Sequence, residues 1–318
     1  MTAAVDDVVA GAEAHRAELL AYCYRMTGSM HDAEDLVQEV QVRAWRAAES
    51  FDPQRASLRT WLYRIATNVC LTALKTAQRR ALPVDLSQPN PVYGPEALDK
   101  SPEFPWLEPF PDSLLGEGDP AAVVTVRESV RLAFVAALQH LPPLQRSVLI
   151  LRDVLALKAT EVAELLDTST AAVNSALQRA HAQLAGIESG PAELSDAEQR
   201  EFLERYVAAF EAMDVAALKH ILREDVLLQM PPFLAWFHGR DAVAAFMTRV
   251  FGRGGAFRLV STRANDRPTL AVYRRADDGE VFEAANLHVL TVDTDGIARM
   301  DLFHSPELFR VFGLPAWL

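Results

Sequence analysis

The chain has 318 residues and a formal net charge of −12, with 50% hydrophobic and 23% charged residues. This length predicts two or three globular domains. No apolar run reaches the roughly 20 residues that span a bilayer, and the acidic start is unlike a secretory signal, so we expect a cytoplasmic protein. Cys23 and Cys70 lie far apart in apolar helical patterns, which predicts buried free thiols and no metal site.

Residues 5–82 are predicted to be helical almost throughout, because apolar residues recur there at helical spacing. A turn at residues 51–57 interrupts the pattern, and the Ser57 hydroxyl is expected to cap the helix that follows. Asp32, Asp35 and Glu39 fall on one face of the helix before this turn. Such an acidic face is usually only solvated.

The helix after the turn interleaves aromatic and basic side chains. Six Lys or Arg and no Asp or Glu occur from residue 55 to residue 80. Stacking faces beside phosphate-binding groups are what single-stranded nucleic acid requires. The candidates are Arg59, Trp61, Tyr63, Arg64 and Asn68. In the alternative interpretation, some of these side chains pack in the protein core. Trp61 is expected to be half-buried.

Residues 83–120 are predicted to form a linker, extended where proline restricts the backbone. This stretch contains nine prolines and eight Asp or Glu against one Lys. Solvated linkers rarely carry aromatic residues, so Trp106, Leu107 and Phe110 indicate that this segment docks on another surface.

Residues 121–188 return to a helical pattern, broken at residues 141–143. Residues 160–184 have the layout of a helix-turn-helix, with Ala163 at the helix crossing and Val173 and Leu177 facing the core. The side chains expected to read a major groove are Thr170, Asn174, Gln178 and Arg179. Arg152 and Lys158 would then contact phosphates. A helical hairpin buried in a bundle is the alternative interpretation.

Residues 195–318 differ in character. A helix with a capping box at residues 195–198 is followed by helices near 215–222 and 241–250. Alternating segments at residues 258–262, 269–273 and 285–292 then predict antiparallel strands, with hairpin turns at 277–279 and 293–296. Helices followed by strands indicate an α+β domain.

The helical blocks resemble a known family. Tyr24-Arg-Met-Thr-Gly-Ser, Asp32-Ala-Glu-Asp-Leu-Val-Gln-Glu and Leu58-Arg-Thr-Trp-Leu-Tyr-Arg-Ile-Ala-Thr-Asn are similar to region 2 of extracytoplasmic-function (ECF) sigma factors. Leu141-Pro-Pro-Leu-Gln-Arg-Ser-Val-Leu and Val173-Asn-Ser-Ala-Leu-Gln-Arg-Ala are similar to region 4. The resemblance covers roughly the first 185 residues. It implies two all-α domains, a region 2 helical bundle and a region 4 helix-turn-helix.

The resemblance also implies partners and contact residues. The partners are core RNA polymerase, through its β′ clamp coiled coil and β flap, and promoter DNA. Residues matching the clamp-binding helix are Asp35, Gln38, Glu39 and Trp45. Residues matching capture of an unpaired −10 base are Arg55, Ser57, Arg59, Trp61, Arg64 and Asn68, and the phosphate track continues through Lys75, Arg79 and Arg80. The helix from Ser169 matches the −35 reader, and the acidic linker would thread the polymerase.

The last domain resembles the SnoaL-like branch of the NTF2-like cone fold, on His238-Gly-Arg-Asp-Ala-Val-Ala-Ala-Phe and the strands that follow. Enzymes of this fold use a pocket Asp or His as general acid or base. The candidates are His238, His288, Asp301 and His304, with structural histidines as the alternative. Five large apolar residues are expected to pack the cone rather than to line a ligand site, namely Met230, Trp236, Phe237, Phe303 and Phe309.

Trp106-Leu-Glu-Pro-Phe-Pro-Asp resembles a linker motif of sigma factors with this fusion. In that subgroup the extra domain regulates the sigma factor in cis, which would make Trp106, Leu107 and Phe110 an interdomain contact. The sequence is compatible with a C-terminal domain that binds a small-molecule ligand and with one that binds none.

We therefore expect a sigma factor with domains at residues 5–82, 121–188 and 195–318, joined by the linker 83–120. No cofactor, no metal and no catalytic residue is expected. Two alternatives remain, a ligand-responsive helix-turn-helix regulator and a polyketide-cyclase-like enzyme.

Overall fold

The computed structural model describes residues 2–91, 104–115, 129–185, 194–275 and 279–318. The chain divides into two compact units. The first comprises residues 1–80 and 114–187, and the second comprises residues 81–113 and 188–318. Within the described residues, no helix is long and apolar enough to cross a bilayer.

The first unit begins with four helices. They are α1 (Thr2–Ala14), α2 (Arg16–Thr27), α3 (Met30–Ala47) and α4 (Leu58–Ala73). Gly28 ends α2 at φ 72°, in the left-handed conformation that glycine adopts without steric cost. The Ser57 hydroxyl accepts from the Thr60 amide at 3.1 Å, which confirms the predicted cap of α4.

The core between these helices is aromatic and closely packed. The Tyr22 and Tyr63 rings meet edge to face with centroids 5.4 Å apart. Both cysteines are buried and free, as predicted, and the Sγ atoms of Cys23 and Cys70 lie 3.7 Å apart. The hydrogen bond with Cys70, together with burial, raises the pKa of the Cys23 thiol and keeps this thiol protonated.

The rest of the first unit contains α5 (Leu132–Leu138), α6 (Pro143–Leu149), a π-helical turn (Ile150–Val154), α7 (Ala159–Leu165) and α8 (Thr170–Leu184). The predicted break at 141–143 is confirmed. Val173, Ala176 and Ala180 are buried on α8. Leu177 is only half-buried, contrary to expectation, because the helix turns its alanines toward the core. Residues 121–128 and the turn at 186–191 lie outside the described residues.

The second unit is built on one six-stranded sheet. Its strands are β1 (Leu222–Gln229), β2 (Trp236–His238), β3 (Ala256–Ala264), β4 (Arg267–Arg275), β5 (Glu283–Asp293) and β6 (Gly296–Phe303). Their order is β2-β1-β6-β5-β4-β3. β1 and β6 pair in parallel, and the other pairs are antiparallel.

The helices of this unit are α9 (Asp196–Glu211), α10 (Val215–Ile221), α11 (Arg240–Phe251) and α12 (Leu308–Val311). Apolar side chains of α9, α10 and α11 join those of the strands in one core. The expected α+β architecture is therefore confirmed, as are three of its strands and the capping box at Ser195.

The other strands were missed because their sequences do not alternate cleanly. β1 reads Leu-Arg-Glu-Asp-Val-Leu-Leu-Gln and mixes charged and apolar residues. The predicted turn at 293–296 is confirmed, since Asp293 Oδ1 accepts from the Asp295 amide at 2.9 Å. A second tight turn joins β3 to β4, where Asn265 and Asp266 both have positive φ, 54° and 58°. Residues 277 and 278 of the other predicted turn lie outside the described residues.

Gly296 allows a test of how tightly the sheet packs on α10. Its φ is +128°, and an added Cβ would lie 2.7 Å from the Ile221 carbonyl oxygen. Gly296→Ala is expected to destabilise the second unit by about 3 kcal/mol. Gly313→Ala is the matched control, since Gly313 also has positive φ (+67°) but no atom within 4 Å of the added Cβ. It should cost about 1 kcal/mol, from backbone conformation alone. Thermal unfolding measures both, and equal losses would contradict the close approach.

Candidate functional site

An exposed stripe runs along α3. Asp35, Gln38, Val42 and Trp45 follow one another at spacings of three and four residues, so they share one helical face. Trp45 is 57% exposed and Val42 is 39% exposed, which is unusual for side chains of this size. Sequence reasoning missed Val42, although its position between Gln38 and Trp45 places it on the same face.

The acidic residues of α3 are not equivalent. Asp32 accepts from Arg80 at 2.6 Å, and Glu39 accepts from Arg43 at 2.6 Å. Asp35 is exposed and forms no ion pair within the part of the chain that the structure describes. The α3 stripe is therefore apolar at one end and carries one uncompensated carboxylate at the other.

One face of α4 carries most of the residues expected to meet single-stranded DNA. Ser57, Trp61, Arg64 and Asn68 succeed one another on this face, and Lys75 follows the end of the helix. Arg64, Asn68 and Lys75 are exposed. Trp61 is half-buried, as expected, with its ring centroid 5.1 Å from that of Phe51. Arg55, in the preceding turn, is also exposed.

Arg59 and Tyr63 lie on another side of α4 and are used inside the protein. Arg59 donates to Glu18 at 2.8 Å and lies over the Tyr63 ring, 5.1 Å from its centroid. Tyr63 is 1% exposed, so the expectation that it offers a stacking face is wrong. Burial opposes ionisation of Glu18, but hydrogen bonds from Arg59, His15 and Tyr63 hold its pKa below the usual value.

The last two basic residues of this stretch also have partners. Arg80 is bound by Asp32, and Arg79 Nη1 lies 3.1 Å from His140 Nδ1. Their predicted phosphate contacts stay predictions, and for Arg80 such a contact would compete with an ion pair.

The helix-turn-helix is formed by α7 and α8. Ser169 caps α8 by accepting from the Ala172 amide at 3.2 Å. All four predicted groove-reading residues are exposed, namely Thr170, Asn174, Gln178 and Arg179. Lys158 is exposed before α7, whereas Arg152 is half-buried and donates to the Leu157 carbonyl.

A buried arginine joins the two helical halves of the first unit, and the sequence did not reveal it. Arg146 of α6 is 4% exposed. It donates to the Met26 carbonyl at the end of α2, to Gln139 Oε1 at 2.7 Å and to the Leu141 carbonyl at 3.1 Å. Burial lowers the pKa of Arg146 to about 10, so the side chain is still charged at neutral pH.

The linker segment around Trp106 belongs to the second unit. Trp106 is 9% exposed, Leu107 1% and Phe110 0%. The Phe110 amide donates to Asn265 Oδ1 at 2.9 Å, and the Asn265 amide donates back to the Phe110 carbonyl at 2.9 Å. Asn265 was not among the predicted residues. It makes both hydrogen bonds to Phe110 from the β3–β4 turn, where its φ is positive.

A second linker segment contacts the start of β2 and the loop before it. The Trp236 indole N–H donates to the Ser87 carbonyl at 3.0 Å, and the Ser87 hydroxyl donates to the Leu234 carbonyl at 2.8 Å. The Asn90 amide donates to the Trp236 carbonyl at 2.8 Å. The two segments are themselves joined, since the Leu107 amide donates to the Ala81 carbonyl at 3.1 Å.

The second unit encloses a cavity of about 290 Å³ between the sheet and its helices. Its wall is mainly apolar and aromatic, with polar groups from Arg253, Arg274, Asn286, His288 and His304. Of the residues expected to pack the cone, only Met230 lines this cavity, whereas Trp236, Phe237, Phe303 and Phe309 do not. The aromatic part of the wall comes instead from residues that the sequence did not single out, namely Phe210, Phe233, Phe246 and Phe257.

The acid–base candidates of this domain fall into different environments. His288 is 1% exposed and its Nδ1 lies 2.8 Å from the Tyr206 hydroxyl. Burial lowers the pKa of His288 to about 3, with a further contribution from His304. Asp301 accepts from Arg299 at 2.9 Å and does not line the cavity. His238 is exposed.

Comparison with family models divides the chain into three parts. Residues 12–80 match sigma-70 region 2, residues 131–184 match sigma-70 region 4, and residues 203–300 match the SnoaL-like domain. The chain thus combines a two-part sigma module with an α+β domain of the SnoaL-like type.

Whole-chain comparisons agree. The chain is 47% identical over 315 residues to the ECF RNA polymerase sigma factor SigG of Mycobacterium tuberculosis, covering 97% of this chain and 84% of that protein. It is 32% identical over 254 residues to SigJ of the same organism, covering 76% of this chain and 73% of SigJ. The crystal structure of M. tuberculosis SigJ superposes with a TM-score of 0.61 at 27% identity, over 97% of this chain and 99% of that one.

The chain belongs to the ECF family of RNA polymerase sigma factors, transcription initiation factors that work with core polymerase at promoter DNA.

Arg146→Met tests the buried guanidinium. The substitution leaves the carbonyls of Met26 and Leu141 without their donor, and it is expected to lower the free energy of unfolding of the first unit by about 3 kcal/mol. Arg43→Met removes an arginine from an exposed ion pair and should cost less than about 1 kcal/mol. Urea denaturation followed by circular dichroism measures both. Similar small losses for the two variants would show that Arg146 is not a structural link.

Proposed function

We propose that this protein directs RNA polymerase to promoters in the cytoplasm, by binding the β′ clamp coiled coil through the α3 stripe. In this proposal α4 captures an unpaired −10 base, α8 reads the −35 element, and the β flap holds the helix-turn-helix. The C-terminal domain regulates these activities in cis.

The observation that carries the polymerase contact is the exposure of Trp45 and Val42 on a helix whose other face is packed. Large apolar side chains left at a surface mark interaction sites, and tryptophan is frequent among residues that dominate binding energy. Spacings of three and four residues also suit packing against another helix. The uncompensated charge of Asp35 adds specificity for a basic partner.

The promoter contact is supported by the face of α4. Arg64 and Asn68 are exposed beside Trp61, so phosphate-binding groups lie next to an aromatic ring. Extruding a base costs a few kcal/mol of unstacking, and stacking with phosphate contacts offsets that cost. The net charge of −12 makes DNA binding by the isolated chain weak, which favours a sigma factor over a regulator that binds duplex DNA alone.

Trp45→Ala is expected to weaken binding to core polymerase by about 2 kcal/mol, or some thirtyfold in Kd. Trp317→Ala is the matched control, because Trp317 is also exposed (67%) but lies in the second unit. Fluorescence anisotropy of labelled full-length protein titrated with core polymerase gives the Kd values. Equal affinities for the two variants would contradict the assignment of the α3 stripe.

A further variant separates the DNA-binding surface of the sigma module from its polymerase-binding surface. An Arg64→Ala variant should keep its affinity for core polymerase and lose promoter opening, measured by permanganate reactivity of the unpaired −10 region. A full-length chain that binds duplex promoter tightly without polymerase would instead support the ligand-responsive regulator.

Regulation in cis is supported by the linker contacts. The segments at residues 81–91 and 104–115 hydrogen-bond to Asn265, Leu234 and Trp236 of the C-terminal domain. A linker held in this way is not free to follow a polymerase channel. Docking of the linker and its use by polymerase are then mutually exclusive, which gives the C-terminal domain control over the sigma module.

Trp106→Ala is expected to release the linker. Truncating a buried tryptophan costs about 3 kcal/mol, enough to raise the undocked fraction roughly a hundredfold. Limited proteolysis should then cut within residues 81–113 faster than in the wild type, and transcription with core polymerase should change. Leu86→Ala is the control, since Leu86 is a linker side chain that is already 38% exposed. Unchanged cleavage and unchanged transcription for Trp106→Ala would refute regulation through this contact.

A further inference from the structure

The cavity of the second unit has two chemically distinct ends. Arg274 Nη2 donates to the Gly254 carbonyl at 3.4 Å, and Arg253 precedes that glycine in the chain. Both arginine side chains therefore lie at one rim of the cavity, and both residues are exposed there. No carboxylate belongs to the cavity wall in the part of the chain that the structure describes. Among the described residues of the wall, the positive charge of this rim therefore has no carboxylate opposite it.

The inner wall carries neutral polar groups among aromatic side chains. The Oδ1 atom of Asn286 is buried and accepts no hydrogen bond from the described residues. Its Nδ2 atom lies 3.4 Å from His304 Nδ1. His288, whose Nδ1 meets Tyr206, is uncharged at neutral pH because burial lowers its pKa to about 3. A buried amide oxygen without a donor is unfavourable, and a ligand that supplies a donor would remove that cost.

We infer that this cavity binds a small amphipathic organic acid, with its carboxylate at Arg253 and Arg274 and a hydroxyl group donating to Asn286. Aromatic and aliphatic side chains of the cavity wall, such as Phe246, Val250 and Phe257, then contact the apolar body of the molecule. The volume of about 290 Å³ lies near the lower limit of ligand pockets and limits the ligand to a small molecule.

Occupancy of this cavity is communicated to the linker by a single loop. Met230 and Phe233 line the cavity, while Leu234 and Trp236, a few residues further, hydrogen-bond to Ser87 of the linker. The His304 amide donates to the Pro231 carbonyl at 2.9 Å, which ties the loop to the inner wall. A ligand against Phe233 and His304 therefore contacts the loop that holds the linker. This part of the inference rests on the proposed regulation in cis.

The test uses the full-length chain and three ten-carbon probes in isothermal titration calorimetry. 10-Hydroxydecanoate is expected to bind most tightly. Decanoate, which lacks the inner hydroxyl, should bind about threefold to tenfold more weakly. Decan-1-ol, which lacks the carboxylate, should be weaker by at least tenfold, since charged hydrogen bonds are the stronger ones.

Four variants locate the probes. Arg253→Gln combined with Arg274→Gln should remove the preference for acids, and these exposed positions leave folding intact. Arg275→Gln is the matched control, because this exposed neighbour on β4 does not line the cavity. Asn286→Leu should equalise the two acids, and Val250→Trp should block all three probes. Linker proteolysis with and without 10-hydroxydecanoate then measures the coupling to residues 81–113.

Failure to bind either acid at millimolar concentration would overturn the inference. It would also fall if decan-1-ol bound as well as the acids, if the arginine pair had no effect, or if Val250→Trp bound normally. These measurements contain no polymerase, so a chain that binds acids but starts no transcripts would refute only the proposed function. A chain that starts transcripts but binds no acid would refute only the cavity site.

Discussion

The buried guanidinium of Arg146 is the interaction on which the first unit depends. It meets the Met26 carbonyl at the C-terminal end of α2, where the helix dipole is negative and the last carbonyls lack partners within the helix. Neutral acceptors rather than a carboxylate satisfy it, so the charge remains while the hydrogen bonds offset its desolvation. Because these acceptors come from region 2 and from the region 4 helices, one side chain sets the position of both parts.

The surfaces assigned to polymerase and DNA follow from that arrangement. α2 supplies much of the aromatic core against which α3 and α4 pack, and the packed faces leave the Trp45 stripe and the Arg64 face outward. Arg59 and Arg80 show how strongly the interior competes for charged groups, since each is held by a carboxylate of the same unit. The basic stretch identified in the sequence therefore contains two kinds of arginine. Arg59 and Arg80 form ion pairs within the unit, whereas Arg64 is exposed.

Much of this architecture could be predicted because it depends on local signals. The helices follow from apolar periodicity, the caps at Ser57 and Ser195 from their hydroxyls, and the helix-turn-helix from spacing. Other features depend on contacts between distant segments. Arg146 stands in an apolar run that shows nothing of the carbonyls it meets, and Asn265 gains its role only when Phe110 reaches it.

The cavity was missed for the same reason. Aromatic residues spread over α9, α11 and several strands gave no sign of whether their rings would fill the space between them or line it. Strand β1 escaped prediction because three consecutive charged residues, Arg223, Glu224 and Asp225, interrupt the alternation. The parallel pairing of β1 with β6 joins the strands that come first and last along the chain, a long-range contact that no local pattern encodes.

The linker contacts have a consequence that can be put in terms of effective concentration. The docked segment and its binding surface belong to one chain, so their association does not weaken on dilution. A tethered partner of this kind competes at an effective concentration that reaches the millimolar range for short connections. An outside partner that binds the same surface, or the linker itself, is present at a much lower concentration and must therefore bind more tightly to compete. As long as no outside partner is bound, the fraction of chains with a docked linker is therefore independent of the concentration of the protein.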